Sequence, residues 1–335
     1  MQNKFHRIAV AVLSLAAGVP AMAAPPTPTT APHVLPQPAG AYSFEVGGTR
    51  VIALSDGTAP QDLHKLLRGT MAARTDAMLR SEFVSNPLQT SINVFVIEIG
   101  ERHVMIDTGV GDLFGPGSGG RLPESMAAAG IRSEQISDIL ITHVHPDDVG
   151  GLVRNGRMMF PNAVVHVGKP DVEFFVDPPK GKAAHADSKT SEELVGMMKP
   201  YFDAGKVRAF TGQTDIVPSI SATPHAGHTP GSAFYTLSTK SGQIVFVGDI
   251  VHAAAVQFPT PSVSIMYDAE PTLAINVRKK AFAEFALNRT LIAAPHLSFP
   301  GVGYVRESGK GFQWVPVNYE NWSAKQPAPR TGQAN

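Results

Sequence analysis

Hydrophobic positions along the chain repeat with two periods in turn, and each period predicts its own kind of element. Thr49 to Leu54 predicts a strand that stops at Ser55-Asp56-Gly57, a turn signal. Ser91 to Ile99 and His103 to Ile106 are two β-rich runs separated by Gly100-Glu101-Arg102, which predicts a hairpin. Leu122 to Ala129 predicts a short helix stopped by Gly130, and Ser191 to Phe202 a longer one with Ser191 as its N-cap. Asp138 to Thr142 predicts a buried strand running straight into a pair of histidines, and Ala163 to Val167 another strand. The second half repeats the theme. Phe234 to Ser238 and Gln243 to Val247 predict a hairpin around Ser241-Gly242, and Leu291 to Ala294 a strand ending at Pro295-His296. Thr272 to Leu287 predicts an amphipathic helix with Leu273, Val277, Phe282 and Phe285 on or near one face. Two mixed halves, each with hairpins and covering helices, predict an α+β protein in which two sheets pack together with helices outside.

The ends depart from this pattern. Lys4 and Arg7 precede an apolar stretch from Ile8 to Val19, followed by Ala21-Met22-Ala23. A positive segment, an apolar core and an A-x-A site together predict a cleavable export signal over residues 1–23. The apolar core is shorter than the roughly 20 residues of a membrane anchor, so no stable membrane insertion is expected after cleavage. The expected location is the periplasm or the exterior. Residues 24–40 hold six prolines with Ala, Thr and Gln and predict an extended, disordered tether. Residues 41–322 are the expected folded domain, and the polar, Pro-rich residues 323–335 a flexible tail.

Charge and cysteine usage narrow the chemistry. The chain balances 28 Lys and Arg against 28 Asp and Glu, which leaves no electrostatic footprint for nucleic acid or an anionic membrane. Its densest basic run, Arg278-Lys279-Lys280, predicts a solvated helix face. With no cysteine, the chain has no disulfide, no thiolate metal ligand and no Cys nucleophile. Neither a Gly-x-Ser-x-Gly nucleophile elbow nor a Gly-x-x-x-x-Gly-Lys phosphate loop occurs.

The strongest local signal is His143-x-His145-x-Asp147-Asp148, followed by Gly150-Gly151. Alternate residues on an extended strand point the same way, so His143 and His145 can converge on one metal ion. Asp147 and Asp148 lie where Pro146 and the glycines force a loop. Imidazole and carboxylate are ligands for zinc and similar ions. Three later positions share the geometry of polar groups at strand ends. His228 lies in the tight Gly227-His228-Thr229-Pro230-Gly231 turn, Asp249 ends the apolar run Ile244 to Gly248, and His296 follows Leu291 to Pro295. A carboxylate at the end of a buried strand needs a partner.

The spacing of these elements resembles the metallo-β-lactamase superfamily, and within it the methyl parathion hydrolase-like branch. The resemblance extends to Ala53-Leu54-Ser55-Asp56-Gly57, Ile106-Asp107-Thr108-Gly109, Ala254-Ala255-Val256-Gln257-Phe258 and Phe299-Pro300-Gly301-Val302-Gly303, and covers nearly all of residues 41–319. It implies an αββα sandwich with the site at one edge of the sheets, and two divalent metal ions, zinc first, with manganese or iron as substitutes. One ion would be held by His143, His145 and His228, the other by Asp147, position 148 and His296, with Asp249 bridging. A metal-activated hydroxide would attack a carbonyl carbon or phosphorus, and Asp147 would help orient or deprotonate the water. Asp107 reads as structural support. His225 reads as structural or as a neighbour of the ligands, and His252 stands close enough to Asp249 to watch. Phe114, Phe174, Phe175 and Phe258 are the candidate pocket residues, with core packing as the alternative for each. Related enzymes often dimerise, so a homodimer is among the expectations.

The chain departs from the family at Asp148, where the pattern has His. As a ligand, Asp148 would add a negative charge, lower the Lewis acidity and favour harder ions such as Mn²⁺. The other reading makes Asp148 a neighbour of the ligands, with the second site weak or empty. The expected substrates are organophosphate triesters or aryl esters. Acyl-homoserine lactones are the second reading, and a non-catalytic periplasmic metal-binding protein the third.

Overall fold

Two seven-stranded sheets face each other in a computed structural model that describes residues 37–176 and 188–321. The expected export signal (1–23), most of the tether (24–36) and the tail (323–335) lie outside the described residues. In the first sheet the order runs Ala41–Val46, Thr49–Gln61, Leu88–Ile99, Arg102–Ile106, Ile136–Leu140, Val164–Gly168, Val207–Phe210. Its early members pair antiparallel, and from Arg102–Ile106 onward the neighbours are parallel. The second sheet runs Thr214–Val217, Ile220–Pro224, Ala233–Ser238, Gln243–Phe246, Leu291–Ala293, Val302–Ser308, Gly311–Pro316, with one parallel pair, Gln243–Phe246 beside Leu291–Ala293.

Strand alternation builds the layers. On Thr49–Gln61, Val51 and Ala53 face the second sheet, while Ile52 and Leu54 face away from it. The inner layer interleaves Val51, Phe95, Ile97 and Ile106 with Tyr235, Leu237, Ile244 and Phe246. On the outer side of the first sheet, Ile52, Val94 and Met105 share a core with Leu122 and Met126 of the helix Leu122–Ala128 and with Leu194, Met198 and Tyr201 of the helix Ser188–Asp203. Outside the second sheet, Val245, Val247 and Ile292 share a core with Ala281, Phe282 and Phe285 of the helix Pro271–Asn288. This is the four-layer αββα sandwich. Among the described residues, no helix is long and apolar enough to cross a membrane.

Several sequence expectations change, among them Ser191, which lies inside the helix Ser188–Asp203 rather than at its N-cap. Ser55-Asp56-Gly57 does not end its strand, which continues to Gln61 through a register shift between Ser55 and Gly57. The Asp56 carboxylate there accepts the backbone N–H groups of Val110, Gly120 and Leu122, and so ties down the loop after Arg102–Ile106. On the helix Pro271–Asn288, Leu273 is exposed, and the buried face is Ala274, Arg278, Ala281, Phe282 and Phe285. Arg278 is therefore not part of a solvated run: only Lys279 and Lys280 are exposed. Its guanidinium donates to the carbonyls of Ile250, Val263 and Pro261 and lies 3.7 Å from the Asp268 carboxylate. Removing one partner of a buried ion pair strands the other and costs about 3–5 kcal/mol, whereas exposed positions change stability by about 0.5 kcal/mol or less. Chemical denaturation should therefore show Arg278→Ala destabilised by about that larger amount, with Lys279→Ala and Lys280→Ala close to the parent.

Candidate metal centre

Five strand ends open onto one spot. The first sheet delivers Asp107 after Arg102–Ile106, and His143, His145, Asp147 and Asp148 after Ile136–Leu140. The second sheet delivers His225 and His228 after Ile220–Pro224, Asp249 and His252 after Gln243–Phe246, and His296 after Leu291–Ala293. Carboxyl ends of strands are where open sheets present their ligands.

The side chains fall into two groups with one member in common. His143 Nε2 lies 3.0 Å from His145 Nδ1, and His228 Nε2 lies 3.1 Å from that same atom. Asp249 Oδ2 is 3.5 Å from His143 Nε2 and 3.4 Å from His228 Nε2. A tetrahedral ion with bonds of about 2.0–2.1 Å holds its ligand atoms roughly 3.3 Å apart, close to these spacings. In the second group, His296 Nε2 and His252 Nε2 lie 3.0 and 3.1 Å from the same Asp249 Oδ2, and Asp147 Oδ2 is 3.5 Å from His296 Nε2. All these side chains are buried except those of His145 and Asp147, which are half-buried.

A supporting layer fixes which nitrogen of three of the rings faces inward. His143 Nδ1 is 3.1 Å from Thr142 Oγ1, whose hydroxyl donates to Asp107. His228 Nδ1 donates to Asp268 at 2.8 Å, and His296 Nδ1 to the Ser91 carbonyl at 2.9 Å. Each bond holds its ring with Nε2 turned to the centre, the arrangement that metal-ligating histidines need. Asp171 ties the two histidine-bearing loops together: it accepts Val144 N–H at 2.9 Å, Thr229 Oγ1–H at 2.8 Å and Gly231 N–H at 2.5 Å.

The electrostatics ask for a cation. Burial would raise the Asp249 carboxyl, but His296, His143 and His252 outweigh it and hold the group well below its ordinary range. Burial would likewise depress His228 and His296, yet the carboxylates around them push the two imidazoles up to about 9 and about 10. Asp249 Oδ1 and Asp148 Oδ2 are buried with no hydrogen-bond partner, an arrangement that hydrogen bonding alone does not explain. Convergent imidazoles, carboxylates and orphaned acceptors together fit a divalent metal ion.

The sequence-derived candidates divide as follows. His143, His145, His228 and Asp249 come together in the first group, Asp249 and His296 in the second, and Asp147 touches the second through His296 at 3.5 Å. Asp148 lies outside both groups. Its carboxylate sits 3.3 Å from His143 Nε2, and its carbonyl is pinned by the backbone N–H and hydroxyl of Thr108, both at 2.7 Å. Burial and the neighbouring Asp107, Asp249, Asp147 and Asp171 push its carboxyl well above the ordinary range. Phe114, Phe174 and Phe175 line a cavity of about 310 Å³ with His145, Asp147 and His296 at its floor. Phe258 does not: it is core, with ring centroids 4.6 Å from Phe282 and 5.8 Å from Trp314. It follows a short helix, Ala254–Gln257, that turns it beneath the long helix Pro271–Asn288. His225 stacks on Phe234 at 3.8 Å and stays outside both groups. Asp268, Asp171, Tyr267 and Met266 escape sequence reading. The only signal for Asp268 was its place before the helix-starting Glu270-Pro271, which reads as turn chemistry. The Asp268 carboxylate holds the His228 ring. Asp268→Asn, which takes the charge from beside His228 without emptying the position next to Arg278, should therefore bind Zn²⁺ about 10-fold more weakly than the parent in chelator-competition titrations.

Comparison with known proteins agrees with this geometry. The sequence pattern of the metallo-β-lactamase superfamily matches residues 88–296. The hydrolase AbOPH, described as lying in the β-lactamase superfamily, superposes with a TM-score of 0.80 at 34% identity, covering 85% of this chain and 100% of that one. AidC, a dizinc quorum-quenching lactonase solved with the product N-hexanoyl-L-homoserine, shares the fold at a TM-score of 0.78 and 24% identity, over 84% of this chain and 99% of that one. A probable metal-dependent hydrolase from Staphylococcus aureus shares it at 0.66 and 17%, over 83% of this chain and 100% of that one. No curated protein matches the chain in sequence. With its family pattern spanning both groups of ligand-type side chains, the chain belongs to the metallo-β-lactamase superfamily of metal-dependent hydrolases.

Proposed function

We propose that this chain hydrolyses ester-type bonds of aryl substrates, organophosphate triesters or aryl esters, at a centre of two divalent metal ions, zinc first. The observation that carries the reading is one carboxylate, Asp249, shared by two groups of imidazoles, in a cavity where Asp249, His145, His252 and His296 meet Phe114, Phe174 and Phe175. His143, His145 and His228 would hold one ion, and Asp147 and His296 would belong to the other. Bound metal supplies a Lewis acid for the carbonyl or phosphoryl oxygen and an acidified water.

The chain's own residues do the rest. Asp147, half-buried at the cavity floor and 3.5 Å from His296, is placed to orient the attacking water and take up its proton. Phe175 sets its ring edge-on to His145, with centroids 5.7 Å apart, and Phe174 packs edge-on to Phe175 at 4.8 Å. With Phe114, Tyr267 and Met266 they form an apolar wall that suits an aryl leaving group and sheds water from it. The export signal read at the N-terminus supports a periplasmic or external site of action, and the resemblance to the methyl parathion hydrolase-like branch supports the triester and aryl-ester choice.

The test is initial rates on a p-nitrophenyl phosphotriester, a p-nitrophenyl ester and an N-acyl homoserine lactone, each with and without chelator. Chelator-sensitive turnover that favours the aryl substrates is the expected result. Preference for the lactone would reassign the substrate, and turnover indifferent to chelator and restored metal would sink the metallohydrolase reading. Phe114 is partly exposed, so its truncation leaves the fold intact. Phe114→Ala should raise KM for the aryl substrates roughly 5-fold with kcat little changed, the signature of lost uniform binding.

A further inference from the structure

Asp249 presents one oxygen, Oδ2, to four imidazole nitrogens: Nε2 of His296 at 3.0 Å, His252 at 3.1 Å, His228 at 3.4 Å and His143 at 3.5 Å. A carboxylate oxygen has about two lone-pair directions, so hydrogen bonding satisfies at most two of those rings. The other oxygen of the same carboxylate, Oδ1, has no partner. A network built for hydrogen bonds would spread across both oxygens. One built to surround cations would not need to.

We infer that His252 is a ligand of the second metal ion and takes over the role that position 148 fills in the family pattern. This deepens the proposed function and rests on its metal centre. One ligand atom each from His252, His296 and Asp249 lies within 4.8 Å of the others, a second ligand-type group beside that of His143, His145 and His228. The His252 ring stacks on that of His296, centroids 4.8 Å apart and planes 22° apart, with both Nε2 atoms at the same Asp249 oxygen. Asp148, by contrast, contacts His143 of the first group, and its backbone is anchored to Thr108.

His252 is also held ready. Its backbone N–H and that of Ala253 both donate to Gln257 Oε1, at 2.7 and 3.1 Å, and Gln257 Nε2 donates to the Val263 carbonyl. A buried glutamine thereby fixes the turn that carries the imidazole. A ligand on a locked backbone loses little freedom when it binds metal. The exchange also settles the charge balance. A second site of Asp147, Asp249, His252 and His296 has two nitrogen and two oxygen donors and does not gain the extra negative charge of Asp148. Such a mixed set suits zinc and keeps the site's Lewis acidity.

The test counts metal rather than activity. Purified parent, His252→Gln and Asp148→Asn are each loaded with Zn²⁺, dialysed and assayed for metal by elemental analysis, with affinities from chelator competition. The parent should hold two equivalents. His252→Gln should keep the first and bind the second at least about 10-fold more weakly, while Asp148→Asn keeps both. Loss of the second equivalent in Asp148→Asn, or its retention at parent affinity in His252→Gln, overturns the assignment. A parent that binds fewer than two ions overturns it as well, and one that binds none fails the metallohydrolase reading itself. Because a substitution can disturb folding, the unmutated Co²⁺-loaded protein is examined too, by paramagnetic NMR with ¹⁵N-labelled histidine. Five hyperfine-shifted imidazoles are expected, those of His143, His145, His228, His252 and His296. Four would contradict the proposal.

Discussion

A carboxylate buried among imidazoles is the constraint on which the rest of this structure depends. Stripping Asp249 of water carries a large penalty that only nearby positive charge offsets. Four histidines supply the ring around it, and the same arrangement that makes them poor hydrogen-bond partners for one oxygen makes them good ligands for cations. Much of what surrounds the centre keeps those rings turned inward. Thr142 and Asp107 hold His143, Asp268 holds His228, and the Ser91 carbonyl holds His296.

The support reaches deep into the fold. Asp268 is paired with Arg278, whose side chain crosses the core to cap the carbonyls of Ile250, Pro261 and Val263. A charge in the core of a covering helix is costly, so its presence marks a chain of contacts from that helix to the metal-facing ring of His228. Asp171 does comparable work across the sheets by clamping the Val144 and Gly231 backbones together. The two sheets each deliver part of the centre at their strand ends, so the centre forms only when the sandwich is closed.

The layers and the strand-end ligands were legible in the sequence because both depend on local period. Strand alternation in Val51 to Leu54 shows two buried faces, and His143-x-His145 shows two rings on one side of an extended segment. What stayed hidden depends on distant partners. Arg278 sits in a basic run that reads as solvated, and its burial follows from the carbonyls and carboxylate that the fold brings to it. Phe258 reads equally as wall or core until the long helix is placed over it. His252 has no spacing motif of its own, since its meaning comes from His296 across the neighbouring parallel strand. The departure at Asp148 was visible, but where its carboxylate goes was set by Thr108, which no local pattern links to it.

The aromatic residues of the cavity and the ligand-type residues come from different parts of the chain, Phe174 and Phe175 from the helical segment Val172–Val176 and Phe114 from a turn, the histidines and Asp249 from strand ends. The central claim is that two ions share Asp249. Anomalous scattering at the zinc edge from crystals of the Zn²⁺-loaded protein tests it most directly. The account predicts two peaks about 3.5–4 Å apart, one on each side of Asp249. A single peak among His143, His145 and His228, or none, would contradict it.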